Sequence, residues 1–282
     1  MMAKLIEGKV VAQKILENLS DEILFLNKKP SLAVIIVGDD PASKIYVNLK
    51  KKKAQELGIT SQVIEMNASV TEQELLDKID ELNNNKEVNA ILVQLPLLAH
   101  INTQKVIEKI SPIKDVDCFH PYNMGKIATG LKPYVYPCTP KGIIRLLEYY
   151  DIDIASKNAV VVGRSNIVGR PVGQMLLNSN ATVTFCHSKT KDLAKITKTA
   201  DILICAAGRL NLITRDMVKE GAVVIDVGMN RKEDGKLAGD VDFFNVETVA
   251  SYITPVPGGV GPMTICSLMQ NTFDLYKIQN EV

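Results

Sequence analysis

Short apolar runs alternate with amphipathic segments along almost the whole chain. In the first half, runs rich in Val, Ile and Leu are typical of buried strands, and they lie at residues 31–38, 61–67 and 89–96. Segments in which apolar residues recur every three or four positions predict helices at 8–27, 41–57 and 71–85. Strands and helices that alternate in this way are typical of a mainly parallel sheet covered by helices.

The second half repeats the alternation, with apolar runs that read NAVVVG, ATVTFC, DILICAAG, AVVIDVG and SYITP. The segment 111–140 between the halves is rich in Pro, Gly and Tyr, which is typical of a connection between domains. A final helix is predicted at 263–280, and we expect it to cross back to the first domain because no strand follows it. The predicted fold class is α/β, with two α/β domains and a cleft between them. Residues 1–119 with 263–282 form the first predicted domain, and 120–262 form the linker and the second domain.

Composition favours a globular protein with a small-molecule ligand. Hydrophobic residues make up 46% of the 282 residues and charged residues 23%, without any low-complexity segment. The formal net charge of +1 gives no reason to expect nucleic acid or an anionic membrane as the main partner. The N-terminus lacks the continuous apolar stretch of a signal peptide, and no apolar run approaches the roughly 20 residues that span a bilayer.

Cysteine and histidine usage predicts neither disulfides nor a metal site. The five cysteines are odd in number, far apart and without CxxC spacing, so we expect reduced thiols in the cytoplasm. His100, His120 and His187 share no spacing that is typical of metal ligands, and we therefore expect no bound metal.

Residues 158–177 read strand, glycine turn and helix, which is where a Rossmann-type fold binds a dinucleotide pyrophosphate. Glycines let the backbone approach the ligand, and the helix N-terminus offers N–H groups and a positive dipole. The glycines at 163, 169 and 173 depart from the usual GxGxxG spacing. A tight strand-to-helix turn without a ligand is therefore an alternative that this motif alone leaves open.

The end of the following strand favours one cofactor over another. An NAD-specific fold places Asp or Glu there, on the ribose hydroxyls. This chain carries Ser188, Lys189 and Lys191 at that position and no acid before them, and Arg164 follows the first glycine of the turn. Because these side chains suit a 2′-phosphate, the sequence predicts NADP rather than NAD.

Four consecutive lysines, Lys50 to Lys53, lie within one predicted helix. Such a run is usually a solvated charge patch. Successive helical residues are rotated by about 100°, however, so four adjacent side chains cannot all face solvent. Lys50 falls on the apolar face, one turn after Tyr46, whereas Lys51 and Lys52 point away. An inward lysine can act as a general base, so Lys50 is a candidate for proton transfer.

Two further polar residues are expected near Lys50, because open α/β sheets bind ligands at the carboxyl ends of their strands. Gln94 ends an apolar strand, and Asp117 lies in the segment KDVDCF that follows. Singly, Tyr46 fits a core-edge aromatic, Gln94 a strand-end cap and Asp117 a turn former. Together they suit a site in which Gln94 orients an amine or a water. Asp117 could accept two hydrogen bonds from the amidine-like edge of a pterin, and Tyr46 could stack on a flat ring.

At these residues the sequence closely resembles the bifunctional methylenetetrahydrofolate dehydrogenase/methenyltetrahydrofolate cyclohydrolase family. The resemblance rests on motifs that follow one another in the correct order along nearly the whole chain, namely YVNLK (46–50), VQLPL (93–97), KDVD (114–117), PCTPKG (137–142), GRSNIVGRPV (163–172), CHSKT (186–190), ADILICAAG (200–208), VIDVGMNR (224–231), GDVDF (239–243) and TPVPGGVGPMT (254–264). Together these motifs are far more specific than any single one of them.

The resemblance implies two reactions and a set of site residues. 5,10-Methylenetetrahydrofolate gives a hydride to NADP⁺, and water then opens the methenyl cation to 10-formyltetrahydrofolate. The second domain is accordingly expected to be a Rossmann-type NADP-binding domain. The implied catalytic residues are Lys50, Tyr46, Gln94 and Asp117. These residues are also implied to bind the folate, together with Val93, Leu95, Pro257, Gly258 and Gly259. The implied NADP contacts are Gly163, Arg164, Ser165, Ser188 and Met229.

One position departs from the family pattern. Glycine usually follows the KDVD aspartate, and this chain has Cys118 there. If that glycine needs a positive φ, Cys118 would strain the loop and move Asp117; otherwise the change is harmless. A monofunctional NADP-dependent dehydrogenase that has lost hydrolysis is therefore an alternative, and a non-catalytic folate- or NADP-binding protein is another.

The resemblance also implies partners. It suggests a homodimer built through the second domains. Lys51 to Lys53 are expected to be solvated charges that attract the polyglutamate tail of a folate.

Overall fold

The structure, a computed structural model, describes residues 2–281 of the chain. Within this range the strands are β1 (Lys4–Leu5), β2 (Ser31–Val37), β3 (Thr60–Met66), β4 (Ala90–Val93), β5 (Asn158–Val162), β6 (Thr182–Cys186), β7 (Ile202–Cys205), β8 (Val223–Asp226), β9 (Asn230–Arg231), β10 (Leu237–Ala238) and β11 (Tyr252–Ile253). The helices are α1 (Gly8–Leu24), α2 (Pro41–Glu56), α3 (Glu72–Asn84), α4 (Thr103–Lys109), α5 (Pro121–Ala128), α6 (Cys138–Tyr149), α7 (Gly169–Asn178), α8 (Leu193–Thr197), α9 (Phe243–Val246) and α10 (Val260–Asn280). A 3₁₀ turn, Arg215–Met217, precedes β8.

These elements form two compact units. The three-stranded unit consists of Lys14–Tyr136 and the chain from Ile265 onwards, and the six-stranded unit consists of the chain up to Gln13 and Pro137–Thr264. The division differs from the predicted domains in three places. Residues 120–136 belong to the three-stranded unit, and both the chain up to Gln13 and residues 263–264 belong to the six-stranded unit. Local hydrogen bonds, described below, account for the two larger differences.

The three-stranded unit is built on a parallel sheet in the order β3–β2–β4, which confirms the strands predicted in the first half. β2 is buried along nearly its whole length, as a central parallel strand requires. In the register, Ile35 lies opposite Ile64 on one side and Val93 on the other. Gln94 follows Val93 directly, and its backbone N–H donates to the Ile35 carbonyl at 2.8 Å. This pairing places Gln94 at the carboxyl edge of the sheet.

Hydrogen bonds hold the segment that follows β4 to the three-stranded unit. Asn271 of α10 donates its side-chain amide to the Tyr136 carbonyl at 2.8 Å. The Cys118 thiol donates to the Val135 carbonyl at 2.9 Å. The segment 111–140, predicted as a connection between domains, is therefore folded into this unit as far as Tyr136.

The six-stranded unit has a parallel sheet in the order β1–β11–β8–β7–β5–β6. From β5 the chain moves to β6 on one side, and then to β7, β8 and β11 on the other side. The strand order therefore reverses beside β5, where open α/β sheets bind ligands at the carboxyl ends of their strands. The predicted α/β class with a Rossmann-type second domain is confirmed.

Short elements escaped the sequence-based prediction. β1 pairs in parallel with β11, which ties the N-terminal residues to the six-stranded unit. β9 and β10 form a small antiparallel pair. β1, β9 and β10 have two residues each and lie outside the apolar runs, so the pattern did not reveal them. No helix among the described residues combines the length and the apolar character that a membrane span requires.

Candidate active site

Helix α2 carries Tyr46 and Lys50 one turn apart. Its first turn is capped by Asp40, whose carboxylate accepts the Ser43 N–H at 2.7 Å. Tyr46 is 37% exposed, so part of its ring is accessible to a flat ligand. The cap and the helical spacing together bring the aromatic ring and the amine to the same face of the helix.

The four consecutive lysines have different surroundings. Lys50 is half-buried, whereas Lys51 and Lys52 are exposed. Lys53 is half-buried like Lys50 and pairs with Glu56 at 2.5 Å on the same helix, so it differs from the solvated charge that the sequence predicted. The structure thus has the orientation that helical rotation predicts, with Lys50 as the inward lysine.

Lys50 and Gln94 are hydrogen-bonded. Lys50 Nζ donates to Gln94 Oε1 at 2.9 Å. The other end of the Gln94 amide donates to the Leu95 carbonyl at 2.7 Å, which holds the amide with its oxygen toward the lysine. Because one N–H of the Lys50 amine donates to Gln94, the other positions on the Lys50 nitrogen point away from Gln94. The structure therefore brings together the two residues that the sequence paired.

Asp115 anchors the loop that carries Asp117. Asp115 is 2% exposed and accepts the His120 N–H at 2.8 Å. Burial, and to a smaller extent the charge of Asp117, raises the pKa of the Asp115 carboxyl to about 6. On the other side of it, the Lys114 ammonium donates to the Asn85 carbonyl at 2.7 Å, next to the end of α3. The KDVD segment is thus fastened on both sides of the half-buried Asp117.

Asp117 lines a small cavity in the three-stranded unit, at the end of β4. Two other predicted folate-binding residues, Val93 and Leu95, line the same cavity. Val93 is only 6% exposed and packs in the hydrophobic core, so it forms part of the cavity wall on the side of the core. Three of the predicted residues are therefore brought to one place.

Cys118 adopts the left-handed backbone conformation, with a φ of 60°. This position therefore has the positive φ that favours glycine, which the sequence alone left open. The conformation costs a non-glycine residue about 1–2 kcal/mol. The side chain is fully buried and its thiol donates to the Val135 carbonyl, and these interactions offset part of that cost. The loop after Asp117 thus has a backbone conformation typical of glycine at a position that cysteine occupies.

Two variants of Cys118 should separate backbone strain from side-chain packing. We expect Cys118→Ala to lower the free energy of unfolding by about 1–2 kcal/mol, because it loses the thiol and keeps the strained φ. Cys118→Gly should be more stable than Cys118→Ala by about 1 kcal/mol, because the strain is relieved. Urea denaturation measures both. A glycine variant less stable than the alanine variant would show that the positive φ costs little here.

Three glycines shape the turn between β5 and α7, each through a close contact. Gly163 has a φ of 133°, and a Cβ there would lie 2.1 Å from the Ala206 carbonyl oxygen. A Cβ on Gly169 would lie 2.3 Å from the Gly163 carbonyl oxygen. A Cβ on Gly173 would lie 2.2 Å from the Phe185 ring. The tight turn and the close packing of helix on strand are those of a dinucleotide-binding turn.

The Ser165 side chain closes the turn that leads into helix α7. Its hydroxyl accepts the N–H of Val168 at 3.1 Å and that of Gly169 at 3.3 Å. The sequence predicted that the N–H groups at this helix end are available to a pyrophosphate, and for these two groups the prediction is wrong. They donate to the serine, so a pyrophosphate here must compete with Ser165 or use other donors of the turn.

The turn after β6 is closed by its own side chains. The His187 N–H donates to the Thr190 hydroxyl at 2.9 Å, and the Lys189 N–H donates to His187 Nδ1 at 3.1 Å. His187 is therefore hydrogen-bonded within the turn, while Ser188 and Lys189 are exposed.

The sheet register brings Arg164 and Ser188 to one edge. Val162 of β5 lies opposite Cys186 of β6. Arg164 and Ser188 each lie two residues beyond these paired positions, and both are exposed. Neighbouring parallel strands are about 4.8 Å apart, so the two turns lie side by side at the carboxyl edge.

The remaining predicted residues also lie in the six-stranded unit. Met229 follows β8 and is 53% exposed. Pro257, Gly258 and Gly259 precede α10, where Gly258 has a φ of 111° and the Gly259 N–H donates to the Pro255 carbonyl at 2.8 Å. The sequence assigned these three residues to folate binding and placed them within the second predicted domain, 120–262. They lie in the six-stranded unit, in agreement with that placement, and their part in folate binding stays a prediction.

Sequence reasoning missed Asp226 and Asp240, which are 3% and 0% exposed. Their carboxylates accept hydrogen bonds from the loops that follow β7 and β8. A signal was present, because Asp226 ends the apolar run AVVID, and an acid is rarely buried without partners. Within residues 2–281, His, Cys, Asp and Glu form no group of three or more that could hold a metal.

Family models match both halves of the chain. The model described as "Tetrahydrofolate dehydrogenase/cyclohydrolase, NAD(P)-binding domain" matches residues 137–280, and the model of the catalytic domain of the same family matches residues 6–117. The chain belongs to the tetrahydrofolate dehydrogenase/cyclohydrolase family. Lys50, Gln94 and Asp117 thus lie in its catalytic domain, and the glycine turn lies in its NAD(P)-binding domain.

Similar proteins support this assignment over the full length. "Bifunctional protein FolD" of Bacillus anthracis is 55% identical, with 98% of each chain covered. The FolD methylenetetrahydrofolate dehydrogenase/cyclohydrolase structure from Campylobacter jejuni has 50% identity and a TM-score of 0.97, covering 99% of this chain and 100% of its own. The Trypanosoma brucei FolD structure, complexed with NADP cofactor and an inhibitor, has 38% identity and a TM-score of 0.95, with 100% of each chain covered. The family resemblance seen in the sequence is confirmed.

Proposed function

We propose that this chain catalyses two consecutive reactions of one-carbon folate metabolism. The first is NADP-dependent oxidation of 5,10-methylenetetrahydrofolate to 5,10-methenyltetrahydrofolate, and the second is hydrolysis of that product to 10-formyltetrahydrofolate. The observation that carries the proposal is the 2.9 Å hydrogen bond between Lys50 and Gln94 inside the catalytic domain. It holds an amine at the strand edge where such sheets bind ligands. High identity to bifunctional relatives over the full length favours two activities over one.

In the hydrolysis, Lys50 accepts a proton. A water oxygen bonds to the methenyl carbon of the cation, and the Lys50 nitrogen accepts a proton from that water. The bond from this carbon to N5 of the folate then breaks, the hydroxyl proton moves to N5, and the formyl group stays on N10. Gln94 Oε1 accepts an N–H from Lys50, which orients the amine while its lone pair acts on the water.

In the oxidation, the protein's task is to position the folate. Asp117 accepts two hydrogen bonds from the amidine edge of the pterin, and the accessible part of the Tyr46 ring stacks on the folate. The bound nicotinamide supplies the acceptor for the hydride that leaves the methylene carbon. The fastening of the Asp117 loop by Asp115 keeps the pterin in one orientation.

The six-stranded unit suits NADP. The close approach of Gly163 to Ala206 leaves no room for a Cβ and lets the backbone come near a ligand. Arg164 and Ser188 are exposed at neighbouring turns, where they can bind a 2′-phosphate, and residues 187–191 contain no acid. We assign NADP contacts to Gly163, Arg164, Ser165, Ser188 and Met229.

Replacing Arg164 with alanine should raise the KM for NADP⁺ by about 10- to 100-fold, because a charge-assisted contact to the 2′-phosphate is lost. The KM for NAD⁺, which lacks that phosphate, should change by less than about threefold. Arg215→Ala, which removes another exposed arginine of the same unit, is the control and should alter neither value. Equal losses for NADP⁺ and NAD⁺ would overturn the assignment of Arg164.

Two spectrophotometric assays test the proposed function. One follows NADPH formation from methylenetetrahydrofolate, and the other follows loss of the methenyl absorption band. Methenyl product that accumulates without hydrolysis would favour the monofunctional dehydrogenase. The Cys118 loop gives that alternative no support, because the backbone keeps the left-handed conformation and the thiol is hydrogen-bonded.

We also propose a homodimer formed through the six-stranded units. β6 is an edge strand of its sheet, Phe185 on it is 37% exposed, and Leu177 on α7 is 51% exposed. Edge strands with exposed apolar residues favour pairing with another chain. A monomer in sedimentation at micromolar concentration would contradict this arrangement.

Two further proposals concern the substrate and its compartment. The exposed Lys51 and Lys52 suit a polyglutamate tail, and equal KM values for mono- and polyglutamyl folates would contradict this role. We place the enzyme in the cytoplasm because its five cysteines are buried thiols that form no disulfide within the described residues. Recovery from the culture medium alone would contradict that location.

A further inference from the structure

Two buried carboxylates join the loops at the carboxyl ends of β7 and β8. Asp226 is the last residue of β8 and Asp240 follows β10, and both are almost inaccessible to solvent. A buried acid is costly unless its oxygens accept hydrogen bonds. Here the donors are mainly backbone N–H groups of loops, so these acids organise the main chain.

Asp240 ties two loops together. Its Oδ2 accepts the N–H of Ala207 at 2.6 Å and that of Gly208 at 2.9 Å. Its Oδ1 accepts the N–H of Arg209 at 2.8 Å. The same oxygen accepts the side-chain amide of Asn230, the first residue of β9, at the end of the loop after β8, at 2.9 Å. One side chain therefore sets the path of the loop after β7 and its distance from the loop after β8.

Asp226 holds Asp240 in place. Its Oδ1 accepts the N–H groups of Gly228 and Asp240, both at 2.9 Å, and its Oδ2 accepts the N–H of Val241 at 3.0 Å. A Cβ on Gly239 would lie 1.8 Å from Asp226 Oδ2, so the backbone passes directly over the carboxylate. Burial raises the pKa of Asp226 to about 6, which leaves the carboxylate form predominant at neutral pH.

We propose that Asp226 and Asp240 are positioning residues for the dehydrogenase reaction, because they hold loops 206–209 and 227–230 in the conformation that binds the nicotinamide half of NADP. The inference rests on the proposed function, in which Met229 of the second loop contacts the cofactor. Strand order supports it. β6, with the 2′-phosphate residues, lies on one side of β5, and β7 and β8 lie on the other. A dinucleotide bound across this point places its second half over the two loops.

The decisive variant is Asp240→Asn. Each oxygen of Asp240 accepts two N–H groups, so whichever way the asparagine is turned, its NH₂ group faces two donors. We expect the Kd for NADPH, measured by fluorescence titration, to rise at least about tenfold. The ratio of dehydrogenase to cyclohydrolase activity should fall at least about fivefold, because hydrolysis needs no hydride acceptor.

Asp201→Asn is the matched control. Asp201 lies just before β7, at the amino ends of the strands, whereas the proposed cofactor loops follow their carboxyl ends. It accepts the Asn158 N–H at 2.8 Å and the Lys219 ammonium at 2.6 Å. Its replacement also removes structural hydrogen bonds and should lower the thermal midpoint of unfolding. It should leave the Kd for NADPH within about twofold, since it lies far from the proposed cofactor loops along the strand.

If Asp240→Asn does not fold, Asn230→Ala tests the positioning role instead. It removes one donor to Asp240 and should weaken NADPH binding by about two- to fivefold. Equal effects of the Asp240 and Asp201 variants on NADPH binding, or no effect of Asn230→Ala, would refute the positioning role. Wild-type protein that does not reduce NADP⁺ would instead refute the proposed function, and this is measured before any variant is made.

Discussion

Cyclohydrolase activity should fall by about 10²- to 10⁴-fold when Lys50 is replaced by methionine, the range that general-base catalysis supplies. Methionine keeps an unbranched apolar chain, with a thioether sulfur in place of one methylene, and lacks the amine, so packing along α2 changes little. The amine is the group that Gln94 Oε1 holds at 2.9 Å, whereas Lys51 and Lys52 are exposed and the half-buried Lys53 pairs with Glu56. Loss of the methenyl absorption band measures the effect directly.

Lys52→Met is the control, because Lys52 lies on the same helix and is exposed. It should change hydrolysis by less than about twofold. Equal losses in the two variants would contradict the assignment of the general base and indicate that the charge of the whole run matters. Gln94→Ala should lie between them, since it leaves the amine in place without its orienting acceptor.

Local patterns predicted much of this molecule from sequence. Helical rotation alone separated Lys50 from Lys51 and Lys52, and the structure has the same orientation. The strands of both sheets, except β1, followed from apolar runs bounded by turn residues. These inferences succeed because they depend on residues a few positions apart, whose relative direction the backbone period determines.

Contacts between distant residues could not be read in this way. Asp226 and Asp240 lie 14 positions apart, and their carboxylates bind loops that begin near residue 206. No local sequence pattern indicates that the Cys118 thiol donates to the Val135 carbonyl. This bond helps to keep residues 120–136 in the three-stranded unit. The loss of helix-end N–H groups to Ser165 was also hidden, because it depends on the path of the turn. Such features follow from tertiary geometry, to which local propensity is only a weak guide.

Gly163→Ala should abolish most dehydrogenase activity, by about 100-fold or more, and lower the free energy of unfolding by about 3 kcal/mol. The new Cβ would lie 2.1 Å from the Ala206 carbonyl oxygen. Ala206 cannot simply move away, because its N–H donates to the Val162 carbonyl at 2.8 Å. The clash must therefore separate the ends of β5 and β7, where the cofactor is proposed to bind. NADPH formation and urea denaturation measure the two effects.

Gly221→Ala separates this clash from the ordinary cost of a positive φ. Gly221 lies in the same unit with a φ of 76°, and a Cβ there would meet nothing within 4 Å. We expect it to cost about 1–2 kcal/mol of stability and to leave NADP⁺ reduction nearly unchanged. If both variants lost the same stability and kept dehydrogenase activity, the close approach of β5 to β7 would have no part in cofactor binding. If only Gly163→Ala loses activity, the cofactor site requires that residue 163 has no side chain.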